Sequence, residues 1–492
     1  MVTVNFTILL LGLEKALNVL SFINLSSNVC RANVATFQQL SRRQTVDNTL
    51  FFLKCRKLVR DCKMFSFLIL VTFLSFAFGQ NLVLIGGNLR DDNAQVWNKM
   101  VQLAGGKGVA RIGVISVSNQ NTIEGDRVIE NFVRVYGANA VGIPVSQTGA
   151  NDPVVANLVK EQTGIFIVED SEDKSWNFWN WVTSLVRPTD VATEPPTGMV
   201  CYESASYKRQ QLIDTLRPFG QDSLVLAAIK TVLKKGGMVA GNAAYMSKSA
   251  VILEGDSISA LVSGTRFISF PRMPYSIRKE GGLALLNTDY VIESHLSEKG
   301  REVRLMRTLL ESDVSRGLGV DENTALVVNN PLSRPVGQVI TASLDVTGVL
   351  YFDVSDIPTP SITNALYENV TFSFFTADDV FDLTSESVTY PPWKEAIAGQ
   401  EWFKNAVPSN DILSRAGPSQ WRQTARRLID CKELNVTSYS PSSIVPMIPA
   451  VQVIFNRQRA VGFGADLPGA PNNTYVASFQ RMMASVKVLG IL

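Results

Sequence analysis

The sequence predicts an α/β fold, because strand-like and helix-like segments alternate along its central part. NLVLIGG is an apolar run that ends in Gly86 and Gly87, and DNAQVWNKMVQLAGG places apolar residues on one helical face before a second pair of glycines. Of the 492 residues, 46% are hydrophobic and 18% are charged, which is enough apolar material for a large core. No repeat with a period of about 20–50 residues is visible.

Further elements follow in the same alternating order. ARIGVISVS has the β-branched content and the length of a strand, GDRVIENFVRVYGA forms an amphipathic helix, and NAVGIPVS and TGIFIVED are further strands. YKRQQLIDTLRPFGQDSLVLAAIKTVLKKGG resumes the helical pattern, and MVAG is the next strand. Such alternation is typical of parallel βαβ units, so we predict a mostly parallel sheet with helices on both faces.

Two regions depart from this alternation. Residues 169–206 contain Trp176, Trp179 and Trp181 and are predicted to form an insertion. Tryptophans at helical spacing more often build a small satellite core than a ligand-binding platform, and both interpretations stay open here. After about residue 345 the pattern changes to strands and proline-rich stretches such as YPPW and YSPSSIVPMIPA, with one predicted helix in SQWRQTARRLIDC.

The predicted domain organisation follows from these shifts. Residues 80–345 form an α/β domain with the insertion at about 169–206, and residues 346–492 form a C-terminal extension of mixed strand and loop.

A hydrophobic segment upstream of this domain has the features of a secretory signal peptide. In RKLVRDCKMFSFLILVTFLSFAFGQ, basic residues precede an apolar run from Met64 to about Phe78, and small residues precede Gln80. The run is shorter than the roughly 20 residues of a spanning helix. We predict a signal peptide at residues 64–79, a secreted protein without stable membrane insertion, and a leader at residues 1–63 that is an artefact of the gene model. An uncleaved signal anchor is the alternative.

The charge distribution argues against a nucleic-acid partner. The net charge is +2, but residues 1–63 hold nine of the 46 Lys and Arg residues and only three of the 44 Asp and Glu residues. The rest of the chain is therefore mildly acidic and lacks the basic surface that nucleic-acid binding needs.

Cysteines and glycosylation sequons fit the secretory pathway. Only Cys201 and Cys431 remain after the predicted leader, and in an oxidising compartment they are expected to form one disulfide, with two buried free thiols as the alternative. Sequons at Asn369, Asn435 and Asn472 all lie in the C-terminal part and are predicted glycosylation sites.

The stretch GGMVAGNAAYMSKSA, residues 236–250, has the pattern of a strand that ends in a sharp turn and leads into a helix. Many hydrolases carry their nucleophile on such a turn, where small neighbours let its side chain project into the cleft. Here Ala243 at the turn has no hydroxyl or thiol, and Tyr245 is bulky where a small residue is expected.

The chain contains a single histidine, His295. This excludes two-histidine zinc motifs and two-histidine relays, and we predict neither a metal nor a cofactor. A lone histidine is usually a surface or core residue, but this one ends a strand-like run just before a helix rich in arginine. Glu322 lies beside Asp321 at the end of another predicted strand, and carboxylates at such strand ends face the ligand crevice of α/β sheets.

Together these segments resemble the cyanophycinase and aspartyl-dipeptidase group of serine peptidases. LVLIGGNLRDDN resembles the glycine-rich end of the group's first strand, GNAAY its G-T-S-A-G elbow, ESHLSEKGREVRL its D-Q-H-F segment with an arginine-rich helix, and GVDENTALVV its G-I-D-E segment. The resemblance covers residues 81–345. It implies a three-layer α/β sandwich with a mostly parallel sheet, similar to class I glutamine amidotransferases, and leaves the C-terminal extension unassigned.

The resemblance also implies roles for individual residues. It places the catalytic serine of the group at Ala243, the catalytic histidine at His295 and the supporting carboxylate at Glu322. The substrate-binding G-G-D-Q segment of the group is absent, and SASYKRQQL takes its place. On this basis Tyr207, Asn242 and Tyr245 are the candidate substrate-binding residues.

Alanine offers neither a proton for the base to remove nor a lone pair for attack, so we predict a pseudoenzyme. Ser247, Ser249 or the Tyr245 hydroxyl could serve as a shifted nucleophile, although Ser247 would lie about 6 Å along a helix from Ala243.

Three functions therefore stay open. The first is a secreted, inactive peptidase relative that binds a peptide in its former cleft or an extracellular protein at the insertion. The second is an active secreted peptidase on aspartyl-arginine-type peptides that uses a shifted nucleophile or a water molecule held by His295 and Glu322. The third is a structural extracellular glycoprotein, in which a hydrogen bond between His295 and Glu322 only stabilises packing.

Overall fold

The structure is a computed structural model. It describes residues 79–117, 123–168, 205–262, 275–342, 347–357, 366–414, 419–441, 449–466 and 475–489. The described residues belong to one compact unit, Gly79–Leu492. The predicted leader, nearly all of the predicted signal peptide and nearly all of the tryptophan-bearing insertion lie outside the described residues.

Twenty strands are described in this unit. They are β1 (Asn81–Ile85), β2 (Arg111–Ser116), β3 (Asn139–Pro144), β4 (Gly164–Ile167), β5 (Met238–Asn242), β6 (Val251–Glu254), β7 (Ser276–Arg278), β8 (Tyr290–Ser294), β9 (Arg316–Val320), β10 (Thr324–Asn329), β11 (Val336–Thr341), β12 (Val349–Asp353), β13 (Leu366–Phe375), β14 (Val380–Asp382), β15 (Val388–Thr389), β16 (Glu395–Ala396), β17 (Asn435–Ser440), β18 (Val451–Asn456), β19 (Val461–Asp466) and β20 (Tyr475–Val488).

Eight α-helices are described alongside them. They are α1 (Ala94–Leu103), α2 (Ile123–Glu130), α3 (Pro153–Lys160), α4 (Ala205–Leu216), α5 (Leu224–Lys234), α6 (Ser257–Val262), α7 (Glu302–Glu311) and α8 (Gln420–Ile429). None of the described helices has the length and apolar character needed to cross a membrane.

The first large sheet has nine strands in the order β15-β14-β11-β10-β1-β5-β4-β2-β3. The five strands from β1 to β3 in this order are parallel, whereas β10, β11, β14 and β15 are antiparallel to their neighbours. The α/β prediction is confirmed, but the sheet is mixed. The β10–β11 pair is antiparallel because residues 330–335 between the two strands are too few for the crossover that parallel pairing requires.

Apolar residues lie on both faces of this sheet. In β1, Leu82 and Leu84 belong to the core shared with α3, α4 and α5, whereas Val83 and Ile85 pack with Trp97 in the core shared with α1. Successive side chains of a strand point to opposite faces, so an entirely apolar strand is buried on both sides. The continuous run NLVLI therefore places β1 in the middle of a covered sheet.

The second large sheet contains β16, β19, β20, β13, β12, β9 and β8 in that order, and β18 joins β17 to β20. Its pairs are antiparallel except for β8 and β9. Because β9 pairs with β12, strands from the predicted α/β domain and from the predicted C-terminal extension share one sheet. Helix α8 forms where SQWRQTARRLIDC predicts a helix, and its Trp421 is fully buried in this half.

The segment after β5 differs from the sequence prediction. A single 3-10 turn, Ala243–Tyr245, follows the strand, and no α-helix forms there. The reason is that the next carbonyl groups bond to another segment: the Leu283 N–H donates to the Tyr245 carbonyl at 2.7 Å, and the Leu285 N–H donates to that of Met246 at 2.9 Å. These bonds replace the ones that would extend a helix.

The residues tied to the secretory predictions are only partly described. Cys431 is buried with a free thiol within the described part of the chain, and its predicted partner Cys201 lies outside it. The disulfide therefore stays a prediction. Asn369 and Asn435 are exposed, as glycosylation requires, and Asn472 lies outside the described residues.

Candidate functional site

The ends of several strands meet at the turn that follows β1. The last residues of the parallel strands β1 and β5 lie opposite each other, so Gly86 and Ala243 follow at the same edge of the sheet. The His295 N–H, directly after β8, donates to the Gly86 carbonyl at 2.8 Å. Glu322 follows β9, the parallel neighbour of β8. The structure thus places Ala243, His295 and Glu322 after strand ends that meet around Gly86, and we call them the three residues of the edge.

A short hydrogen bond joins the two retained residues. Nδ1 of His295 and Oε1 of Glu322 are 2.6 Å apart, and the side chains are 6% and 23% exposed. Burial opposes ionisation of Glu322, but hydrogen bonds from His295 and Asn88 outweigh it, so the pKa of Glu322 is lowered. An ionised carboxylate at this atom favours the tautomer with the proton on Nδ1, which is the arrangement that orients a catalytic base.

The backbone around His295 is constrained. His295 has a φ of 52°, in the left-handed region that residues other than glycine seldom adopt. Its ring lies against Gly87, where a Cβ atom would come within 2.1 Å of Nε2, and Gly87 itself has a φ of 95°. A glycine is therefore required at position 87 for both reasons, and the imidazole packs on the main chain. Non-glycine residues in this region are enriched at functional sites.

The turn that bears Ala243 is filled by its own side chains. Ala243 and Tyr245 are fully buried. The Tyr245 hydroxyl accepts a hydrogen bond from the Asn242 N–H at 3.1 Å and donates to the Ile167 carbonyl at 3.3 Å. The Asn242 side chain accepts from the Ala244 N–H at 2.9 Å. The two candidate substrate-binding residues at this turn are thus engaged in local bonds, and their predicted role would require them to move.

The other candidate positions lie outside this cluster. The Ser247 hydroxyl is fully buried, donates to the Tyr290 carbonyl at 2.6 Å and accepts the Ser249 N–H at 3.0 Å. Ser249 lines a separate cavity of about 370 Å³. Tyr207 belongs to α4, and its side chain lies outside the described residues. Neither this cavity nor a second one of about 560 Å³ that includes Tyr351 is lined by the three residues of the edge.

The arginines of the predicted arginine-rich helix support the strand that leads to His295. The Glu293 carboxylate is fully buried in β8, and Arg304 donates to its Oε2 from Nε at 3.1 Å and from Nη2 at 2.6 Å. Burial opposes ionisation of Glu293, but Arg304, Arg301 and Arg209 outweigh it and lower its pKa. The sequence pattern identified two of these arginines but not their shared partner.

A buried charged network behind Glu322 was not predicted from the sequence. Arg422 in α8 donates to Oδ2 of Asp321, the residue before Glu322. Two further carboxylates, Glu298 and Glu302, lie around the same group. The hydrophobic pattern of α8 predicts its helix but not its partners, because these contacts join residues about a hundred positions apart. Among the described residues, no group of three His, Cys, Asp or Glu side chains is arranged to hold a metal ion.

Comparison with known proteins gives distant likenesses. No protein-family profile matches the chain. A peptidase from an acI-B1 Actinobacterium aligns with a TM-score of 0.38 and 16% identity over 62% of this chain and 97% of its own. A candidate peptidase E protein from Listeria monocytogenes EGD-e aligns with a TM-score of 0.29 and 9% identity over 51% of this chain and 95% of its own. At these values neither likeness establishes an activity for this chain.

Proposed function

We propose that the chain is a secreted homologue of the cyanophycinase and aspartyl-dipeptidase group, with the three-layer fold of class I glutamine amidotransferases, that no longer hydrolyses peptides. One observation carries the proposal: position 243, where the resemblance expects the nucleophile at the end of β5, is an alanine, while His295 and Glu322 form a hydrogen-bonded pair. In this proposal His295 and Glu322 correspond to the base and its orienting carboxylate, and the atom that they would activate is missing.

The geometry disfavours a shifted nucleophile. The hydroxyl of Ser247 is committed to the Tyr290 carbonyl, and that of Tyr245 to the Ile167 carbonyl. Each of these oxygens therefore already donates to a main-chain carbonyl, and attack on a substrate would require that bond to break. We therefore prefer an inactive protein, and we propose that it acts by binding a peptide or an extracellular protein.

Hydrolysis assays test the absence of activity directly. Purified protein is incubated with β-aspartyl-arginine dipeptide and with cyanophycin, and released amino acids are quantified. We expect no release above that of the His295→Ala variant, because alanine at position 243 cannot form an acyl intermediate. Release that His295→Ala abolishes would overturn the proposal.

A second assay tests whether the rest of the site is still arranged for catalysis. Ala243→Ser restores the missing oxygen with a single atom, whereas changing Tyr245 as well would remove a buried ring at a cost of about 3–5 kcal/mol. We expect a serine-directed phosphonate to label Ala243→Ser and to leave both the original protein and Ala243→Ser/His295→Ala unlabelled. Labelling of the original protein would reveal a different nucleophile.

A further inference from the structure

We propose that the cavity of about 560 Å³ between the two large sheets binds a short peptide whose amino and carboxyl ends are both free. Its walls come mainly from β12, β13 and β20 of the second sheet and from the β14–β15 hairpin of the first. Its volume lies within the range of about 300–1,000 Å³ that is common for ligand sites. None of the three residues of the edge lines it, so this site does not depend on whether the chain hydrolyses peptides.

The register of the second sheet defines which side chains share the face toward the cavity. Tyr351 lies opposite Ser373, and Asp353 lies opposite Thr371, which in turn lies opposite Met483. Opposite residues of antiparallel strands, and alternate residues within one strand, point to the same side of a sheet. This face therefore runs from β12 across β13 to β20, a distance of two strand spacings or about 10 Å.

A β-bulge in β20 turns two adjacent side chains into the cavity. Between the pairs that Phe372 and Phe374 make, β20 has one residue more than β13. Gln480 and Arg481 consequently both line the cavity, although neighbours in a regular strand point to opposite faces. Arg481 has a φ of 59°, and so has Glu386 in the opposite wall. Residues other than glycine with such strained backbone are concentrated at functional sites.

A buried hydroxyl group in the wall lacks a hydrogen-bond partner. Tyr351 is 5% exposed, and its hydroxyl makes no hydrogen bond with any described residue. The ion pair of Arg316 and Glu386 lies beside it, but without the geometry of a hydrogen bond to this oxygen. A buried polar group without a partner is costly, and a bound ligand that supplies a donor or an acceptor would remove that cost.

Charges of opposite sign lie on the two sides of the cavity. Arg481 in β20 and Arg459 in the turn between β18 and β19 are exposed, and neither forms an ion pair with a described residue. Asp353 and Asp356 lie on the β12 side and are likewise without an ion pair in the described part of the chain. The remaining charged residue of the wall, Glu386, already belongs to an ion pair. Two cations and two anions are thus left to meet a ligand.

The positions of these charges specify the class of ligand. The two arginines can bind one carboxylate, and the aspartates can accept hydrogen bonds from an ammonium group. An extended peptide spans about 3.3–3.6 Å per residue, so about three residues bridge the roughly 10 Å between the two sides. Phe375 and Phe381 in the wall, with ring centroids 5.0 Å apart, favour an apolar side chain between the charged ends.

Calorimetric titration with the tripeptide Ala-Phe-Ala tests the proposal, because its two ends can be blocked one at a time. The free-ended peptide is compared with its C-terminal amide and with its N-acetyl form. We expect saturable binding of the free-ended peptide, weakened about tenfold or more by either block, since each block removes a charge-assisted contact. Absence of saturable binding up to about 5 mM, or equal binding of the three forms, would refute the proposal.

Substitutions assign each end of the peptide to one side of the cavity. Asparagine tolerates a positive φ, so Arg459→Gln/Arg481→Asn removes both positive charges without adding strain to β20. In this variant the affinity for the free-ended peptide should fall about tenfold or more, and most of the difference between the free-ended peptide and its C-terminal amide should disappear. Asp353→Asn keeps the oxygen that accepts the Ser355 N–H at 2.8 Å, and it should likewise remove most of the difference that N-acetylation makes.

An exposed arginine elsewhere provides the matched control. Arg134→Gln removes a cation of the surface pair with Glu130, and the affinities for all three forms of the peptide should stay unchanged. If the substitutions in the cavity weaken the free-ended and blocked peptides by the same factor, or leave the affinities as they are, the charged ends of the ligand do not meet these residues and the proposal is wrong.

Discussion

Two contacts fix the position of the His295 ring, and they limit which substitutions its neighbours tolerate. Glu322 holds Nδ1 at 2.6 Å, while Gly87 leaves no room for a side chain beside Nε2. A catalytic histidine needs the first constraint, whereas the second places the ring against the main chain. Ala243, His295 and Glu322 could be selected as candidates from the sequence because each stands in a short motif at a strand end. The bonds of Tyr245 could not, because they depend on how the chain returns to the turn.

The contact between Gly87 and His295 gives a prediction with a matched control. Gly87 and Gly106 have φ values of 95° and 93°, but only Gly87 has atoms near the position of a Cβ atom. Gly106→Ala should therefore cost roughly 1 kcal/mol of unfolding free energy for backbone strain alone. Gly87→Ala should cost about 1–3 kcal/mol more, because the methyl group meets the imidazole. Urea unfolding of both variants measures the difference.

The same contact can be confirmed by a double-mutant cycle. In a His295→Ala background, the extra cost of Gly87→Ala should largely disappear, because alanine has no ring to collide with the new methyl group. Equal destabilisation by the two glycine substitutions, or an unchanged extra cost without the imidazole, would contradict the geometry.

At the scale of secondary structure, the sequence predicts elements that a local pattern specifies. It does not predict elements that depend on contacts with distant segments. The apolar runs and amphipathic segments identify β1–β5 and the helices α1, α2, α4 and α5, since hydrophobic period and burial are coupled within each segment, but they do not identify α3. The helix expected after β5 is absent because residues 283–285 bond its carbonyl groups. The antiparallel strands beyond β10 share the same β-branched composition as parallel ones, so composition alone does not reveal their direction.

A buried lysine ties the turn between β13 and β14 to β20. Nζ of Lys394 lies 2.6 Å from Oδ1 of Asp379, 2.7 Å from the Thr376 hydroxyl and 3.0 Å from the Ser478 hydroxyl. The Lys394 and Asp379 side chains are fully buried. Burial lowers the pKa of Lys394 and raises that of Asp379, and each partner opposes the effect on the other.

Removing this lysine should be far more harmful than removing an exposed one. Lys394→Met leaves the Asp379 charge buried without its partner, and we expect a loss of about 3–5 kcal/mol in unfolding free energy. Lys248→Met breaks a surface pair with Asp289 and should cost less than about 1 kcal/mol. Denaturant unfolding measures both, and similar losses would show that the buried pair does not hold the turn against β20.

At the scale of the whole molecule, the second sheet joins segments that the sequence separates. Strand β9 lies beside β12, and α8 reaches the loop after β9 through Arg422. The resemblance to a peptidase ends near residue 345, so it contains no information about these contacts. The group behind Glu322 therefore combines residues from both predicted parts of the chain, and its charge balance is a property of the folded unit alone.

This charge balance makes stability depend on pH in a defined direction. The folded-state pKa values of Glu298 and Glu302 are raised to about 8, above an unfolded value near 4.5. Their contribution to stability is therefore fully present below about pH 4.5 and is lost as the pH rises toward 8, because the unfolded chain releases these protons first. Each group should therefore lower the unfolding free energy as the pH rises through that interval.

Urea unfolding at several pH values between about 5 and 8 measures this slope. We expect Glu298→Gln/Glu302→Gln to make the dependence of unfolding free energy on pH shallower, by the contribution of about two protons. The exposed control Glu395→Gln should leave this dependence unchanged. The lowered pKa of Glu322 acts in the opposite sense but only in more acidic solution, since its contribution is lost as the pH falls below its usual range. A slope that is equally steep without the two buried glutamates would mean that they are already ionised in the folded protein, and that Arg422 alone neutralises the network.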